Sequence, residues 1–165
     1  MKTILWAAIT ANGNYMHGDS DYRWKKEVFE DFDACALDAG NCIIGRKTYE
    51  EYAGSGGSLG ALKVVVVSRS ASNIAGVTCA GSPSEALSLL EANGYTSALV
   101  GGGDSLLNAF LAEGLADELI LNITPELGGS GNRLSLPGAH IKLLKLVEMR
   151  EIGEGIARMR YAVEP

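Results

Sequence analysis

The stretch ALVGGGDSLLNAFLAEG, Ala98 to Gly114, decides how this chain folds. A short apolar run closes on three consecutive glycines, Gly101 to Gly103, and apolar residues at helical spacing follow at once. A strand that turns into a helix over so few residues exposes backbone N–H groups at the helix N-terminus. Those unpaired donors and the helix dipole together favour an anion, and glycine lets it approach the backbone closely. Phosphate is the expected ligand.

Working outward, the same strand-to-helix alternation recurs. TILWAAIT (Thr3–Thr10) reads as a buried strand ended by the turn signal NGN. Helical spacing follows at Trp24, Val28, Phe32, Cys35, Ala36 and Ala39, with Gly40 as its stop. NCIIG is a short strand and RKTYEEY one or two helical turns, before the flexible loop GSGGSLGAL. KVVVVSRS carries four consecutive valines, which suit a strand covered on both faces. Another short strand is expected at Val77–Cys79. SPSEALSLLEANG has a Ser cap, Pro in the first turn and a terminal Gly, and so predicts a helix. DELILNITPEL is a strand ending at Pro125, GGSGNRLSLPG a loop, and Lys142–Val163 an antiparallel hairpin around GEG. The pattern predicts one α/β domain over residues 1–165. Its sheet is mostly parallel with an antiparallel C-terminal edge, and ligands sit beyond the carboxyl ends of the strands.

Composition narrows the function. The chain is 47% hydrophobic and 21% charged with a formal net charge of −6. It has no run of Lys or Arg, so the footprint of a nucleic-acid binder is missing. Its N-terminal apolar run is too short to span a bilayer, which makes a cytoplasmic protein without a membrane anchor the expectation. Cys35, Cys42 and Cys79 have no metal-ligand spacing and read as reduced, buried thiols. His17 and His140 are isolated, which argues against a metal site or a His-based triad.

Three segments converge on the carboxyl edge of such a sheet: GRKT (Gly45–Thr48), SRS (Ser68–Ser70) and GGGDSL (Gly101–Leu106). Helix N-termini joined by Arg46 and Arg69 suit a dinucleotide with several phosphates. Neither the P-loop pattern nor the full Rossmann fingerprint is present.

The succession TILWAAITANG, IIGRKTYEEY, VVVVSRS and ALVGGGDSLLNAFLAEGLADELILNITPELGGSG resembles the dihydrofolate reductase superfamily. Val100 to Gly131 is most similar to the reductase domain of the riboflavin-biosynthesis deaminase-reductases. The resemblance implies a dihydrofolate-reductase-like three-layer sandwich with helices on both faces, binding NADPH across the carboxyl ends of its strands. Carried over, Gly101, Gly102, Gly103, Asp104, Ser105 and Leu106 line the pyrophosphate and nicotinamide side, and Ala8 offers backbone to the carboxamide. Arg46, Lys47 and Thr48, following Gly45, meet phosphates, while Ser68, Arg69 and Ser70 hold the adenosine end. An Arg beside the 2′-phosphate is the physical reason for NADPH over NADH.

The chain departs from both branches. Folate reductases carry a carboxylate on the first helix; an ungapped count from Gly45 places Phe29 there, with Glu30 and Asp33 on a similar face and Glu27 a small shift away. Glu30 is the candidate acid, although the acidic residues of KKEVFEDFD read equally as a solvated face. The Arg that holds the folate tail is replaced by Leu62, beside Lys63. The riboflavin branch writes Asp-Gly in the first loop where this chain has Asn12-Gly13, and a Lys where Asn14 or Tyr15 stands. There is no deaminase zinc motif. Asn122 falls where folate reductases place a hydroxyl and is a second catalytic candidate; Asn12, Tyr15 and Phe29 are candidates for the substrate side. The reading is an NADPH-dependent reductase of a heterocyclic C=N or C=O group on a pyrimidine or pterin-like substrate, in a possible homodimer. The alternatives are dihydrofolate reduction and a nucleotide-binding module without activity.

Overall fold

In a computed structural model the described residues are 1–15, 24–54, 60, 62–70, 74, 76–128 and 131–165. His17, most of the GSGGSLGAL loop and the later part of the first loop lie outside them.

The strands are β1 (Lys2–Thr10), β2 (Asn41–Gly45), β3 (Lys63–Val67), β4 (Thr78–Ala80), β5 (Ser97–Val100), β6 (Glu118–Thr124), β7 (Leu144–Glu151) and β8 (Ala157–Val163). The helices are α1 (Lys26–Ala39), α2 (Arg46–Gly54), α3 (Pro83–Ala92) and α4 (Asp104–Ala112). One eight-stranded sheet runs β4-β3-β2-β5-β1-β6-β8-β7. Every pairing from β4 to β6 is parallel, while β8 pairs antiparallel with both β6 and β7. The α/β class, the parallel body and the antiparallel C-terminal hairpin are therefore as the sequence predicts.

Side-chain alternation along the strands builds two cores. Leu5, Ala7, Val65, Ala98 and Val100 face α3 and α4, packing with Ala86, Leu90, Leu107 and Phe110. Trp6, Ala8, Val66 and Leu99 face the other way, against Val28, Phe32, Ala36 and Ala39 of α1. Each wholly buried large side chain contributes about 1.5–3 kcal/mol relative to exposure, so this double coverage explains why β3 and β5 read as unbroken apolar runs.

Local chemistry sets the helix ends. Gly40 closes α1 in the left-handed region at φ 70°, donating its N–H to Leu37 O. The Ser82 side chain caps α3 by accepting from Glu85 N, with Pro83 in the first turn.

At the carboxyl edge the strands are unequal. The last β1–β5 pair is Leu5 with Val100, yet β1 continues beside β6 as far as Thr10 with Thr124. The chain leaving β5 turns in the gap beside Trp6–Thr10, and that turn is the glycine run.

Candidate active site

Gly101 continues the sheet by donating to Ile43 O at 2.9 Å, and Gly102 O accepts from Gly45 N at 2.8 Å. The Gly102–Gly103 peptide is cis, and Gly102 has φ 129°, where only glycine is comfortable. Gly103 is the N-cap of α4 with no side-chain cap, and α2 begins at Arg46 directly after β2. The bond from Gly45 to Gly102 therefore sets two helix N-termini side by side. Both carry first-turn N–H groups that helical bonding does not use, and both dipoles favour a negative charge at this edge.

The glycines are tightly enclosed. A Cβ on Gly101 would collide with the Phe32 ring, whose Cζ lies at 2.9 Å, and crowd Cys42 Sγ at 3.2 Å. A Cβ on Gly102 would sit 2.6 Å from the Tyr15 hydroxyl, and one on Gly103 would lie 3.3 Å from Thr48 Oγ1. Burial first, then the nearby Asp104 and Glu51 carboxylates, push the Tyr15 phenol well above its ordinary value, so it stays protonated. Burial likewise pushes the Cys42 thiol up to about 12, against a lowering backbone bond from Gly101.

Beside the turn, an apolar pocket opens to solvent between α1 and α2. It is lined by Trp24, Phe32, Ile44, Thr48, Tyr52 and Gly101, without a charged side chain. Among the described residues the buried Trp24 Nε1 has no hydrogen-bond partner.

Behind the pocket the candidate Asn122 belongs to a buried polar group centred on Asp31, which the sequence reading did not single out. Asp31 Oδ2 accepts from Trp6 Nε1 and from Asn122 Nδ2, both at 2.9 Å, and Asp31 Oδ1 accepts from Arg158 Nε at 2.7 Å. Arg158 also donates to Glu148 Oε2 at 2.9 Å. Burial works against the Arg158 charge, but Asp31 and Cys35 alongside hold its pKa above the usual arginine value. Asn122 is fully buried, and its Oδ1 has no partner among the described residues. A signal for Asp31 existed: it lies three residues after Val28 and four before Cys35, on the buried stripe of α1 rather than its wet face.

The candidate acid is elsewhere. Glu30 points to solvent from α1 and pairs with Lys26 at 3.1 Å. It forms an i,i+4 pair on the wet face, because the helix turns it away from the stripe that carries Asp31. Phe29 is 41% exposed and leans on Trp24, with ring centroids 5.0 Å apart, outside the pocket lining. Asn12 does not face the pocket either. It accepts from Gly128 N and donates to Gly128 O, fastening the first loop to the segment after β6. Asn14 adds its own bond to Gly128 O, and Tyr15 N donates to Asn132 O. Tyr15 is buried in the core facing α4, its hydroxyl over Gly102.

The cofactor candidates do gather at the edge. Gly45, Thr48 and Gly101 to Gly103 meet there, with Asp104, Ser105 and Leu106 opening α4. Arg46 and Lys47 lie exposed on α2, Arg46 bonded to Glu50 at 2.8 Å. Ser68, Arg69 and Ser70 follow β3 on the same side, with the two serine hydroxyls 3.3 Å apart. Leu62 packs against the core facing α1 and Lys63 Nζ donates to Thr78 Oγ1, so neither is a free carboxylate clamp. Among the described residues no group of His, Cys, Asp and Glu is placed to hold a metal, and no disulfide joins Cys35, Cys42 and Cys79.

The RibD C-terminal domain family matches residues 10–158. The chain belongs to that family. Its members are reductases. No curated protein matches the chain. Among solved structures, a Shewanella sp. PV-4 protein described as a riboflavin biosynthesis protein superposes with a TM-score of 0.81 at 18% identity, covering 100% of both chains. A pyrimidine reductase-like protein from Corynebacterium diphtheriae gives 0.78 at 16% identity, over 99% of this chain and 92% of that one. RibD from Acinetobacter baumannii gives 0.78 at 18% identity; this chain spans 58% of it. These likenesses establish the dihydrofolate-reductase-like sandwich for this RibD C-terminal domain.

Proposed function

We propose that this RibD C-terminal domain is an NADPH-dependent reductase that delivers hydride to a C=N or C=O bond of a pyrimidine or pterin-like heterocycle. The observation that carries the reading is the Gly45–Gly102 bond, which sets two helix N-termini against an aromatic pocket. The residues fit a dinucleotide: the crowded glycines leave backbone N–H groups within reach of a pyrophosphate, and β1 beyond Leu5 has no strand partner on the β5 side. NADPH, when bound, supplies the hydride. Gly101 to Gly103, Ser105 and Leu106 cradle the pyrophosphate, and Ala8 meets the carboxamide through its backbone. Arg46, Lys47 and Thr48 face phosphates, and Ser68, Arg69 and Ser70 take the adenosine end. The pocket beside Gly101 takes the substrate ring, held by stacking on Trp24 and Tyr52 and shielded from water.

Two further parts of the reading concern its setting. Reduced thiols and a reduced nicotinamide cofactor suit the cytoplasm, and no helix among the described residues is long and apolar enough to cross a membrane. A second copy of the chain covers the edge strand β7, whose Leu144, Leu146, Val147 and Met149 are 42–66% exposed.

The test is a titration with NADPH and with NADH, following quenching of tryptophan emission. Tighter binding of NADPH, with the preference reduced in Arg69→Ala, is the expected result. No binding of either cofactor would remove the reductase reading.

A further inference from the structure

Trp6 stands between the pocket wall and the buried polar group around Asp31. On one side its indole touches two residues of the pocket wall, Trp24 and Phe32, with ring centroids 5.4 and 5.1 Å away. On the other its Nε1 donates to Asp31 Oδ2, the oxygen that also accepts from Asn122. Trp6 has no exposed surface. Its ring therefore fills the space between the pocket's aromatic wall and the Asp31–Asn122 pair.

The indole is fixed there. Rotating it away would break its bond to a buried carboxylate that Arg158 also bonds, in a setting where water does not replace the lost donor. Phe32 cannot yield in its place, because its other side lies against Gly101 so closely that a methyl group would not fit. The pocket thus ends at Trp24 and Phe32, and a ligand lying in it meets no carboxylate.

We propose that Trp6 is a specificity-determining residue that sets the depth of the substrate pocket. It admits an uncharged planar ligand one ring deep and keeps a second fused ring from reaching Asp31 and Asn122. This deepens the reductase reading and rests on the apolar pocket being the substrate side. Trp6→Leu would vacate about the space of one ring and leave Asp31 Oδ2, the acceptor of the lost indole N–H, facing it.

The test uses two probes with the same hydrogen-bonding edge, 2,4-diaminopyrimidine with one ring and 2,4-diaminopteridine with two, titrated calorimetrically into wild type and Trp6→Leu, with NADPH titrated into the same samples. In Trp6→Leu the two-ring probe is expected to tighten by about tenfold or more, the scale set by opening an apolar pocket, while the one-ring probe shifts by less than about threefold. A folded Trp6→Leu whose two-ring affinity stays within about threefold of wild type overturns the proposal. Should that variant not fold, Trp6→Met, which keeps more of the volume, is read in the same way. Independently of any variant, wild type binding the two-ring probe as tightly as the one-ring probe also overturns it. Failure of wild type to bind NADPH, with the ring preference still shifting in Trp6→Leu, would count against the reductase reading and leave the role of Trp6 standing.

Discussion

Replacing Gly101 by Ala tests the packing that joins the glycine turn to α1. Gly101 lies outside the left-handed region, so the backbone accepts an Ala, and the penalty comes from the new methyl alone. That methyl would overlap the Phe32 ring and press on Cys42 Sγ at 3.2 Å, while Phe32 is backed by Trp6 at a centroid distance of 5.1 Å. Phe32 is thus held between Gly101 and Trp6, and can give way only toward the pocket that it lines. Overpacking of this kind costs about 1–3 kcal/mol, and the narrower unfolded ensemble of Ala offsets about 0.4–1 kcal/mol. A net loss of about 1–2 kcal/mol corresponds to a melting temperature lower by about 2–8 °C in a domain of this size. Thermal and urea unfolding followed by circular dichroism measure it. Adding Phe32→Leu removes the clashing ring, so the double variant should be more stable than the sum of the single losses by about 1 kcal/mol. Gly101→Ala as stable as wild type, or two losses that simply add, would refute the argument that ring and turn are in contact.

Three other outcomes follow from named contacts. Asp31→Ala leaves Arg158 buried without its main partner and should cost about 3–5 kcal/mol in urea unfolding, whereas replacing both as Asp31→Asn with Arg158→Met should recover much of that. Glu118 is raised by burial but lowered more by Lys2 and Arg160, at 2.6 Å each, and its net pKa lies below the usual 4.5. The stability it contributes is present above pH 4.5 and is lost as the pH falls through its lower folded value. Glu118→Gln should therefore flatten the acid side of a stability-against-pH profile, and an unchanged slope would exclude this contribution. Leu146→Lys with Met149→Lys should convert a dimer to a monomer in gel filtration; wild type eluting at the 17.3 kDa of one chain would remove the proposed contact.

The order of elements was legible before any coordinates because each rests on local chemistry. Strand runs such as KVVVV and NCIIG, the Ser82 cap with Pro83, and the Gly40 stop act within a few residues, so their effect is written where they stand. The glycine turn announced itself for the same reason: three residues without side chains between a strand and a helix have few other uses.

Which carboxylate of α1 is buried could not be chosen that way. Counting from Gly45 favoured Glu30 and Phe29, but a helix places successive residues about 100° apart. Only the packing of α1 on β1 decides which carboxylate is buried, and it buries Asp31. Its partners Trp6, Asn122 and Arg158 come from β1, β6 and β8, up to 127 residues away in the chain. Nor did the sequence reveal that Asn12 would fasten a loop to Gly128, or that Tyr15 would lie over Gly102. By itself, then, the sequence determined the elements, their order and the glycine turn between β5 and α4, since those depend on neighbours along the chain. The tertiary structure alone decided which buried charge stands behind the pocket and which ring closes it, since those depend on residues that meet only when the sheet is assembled.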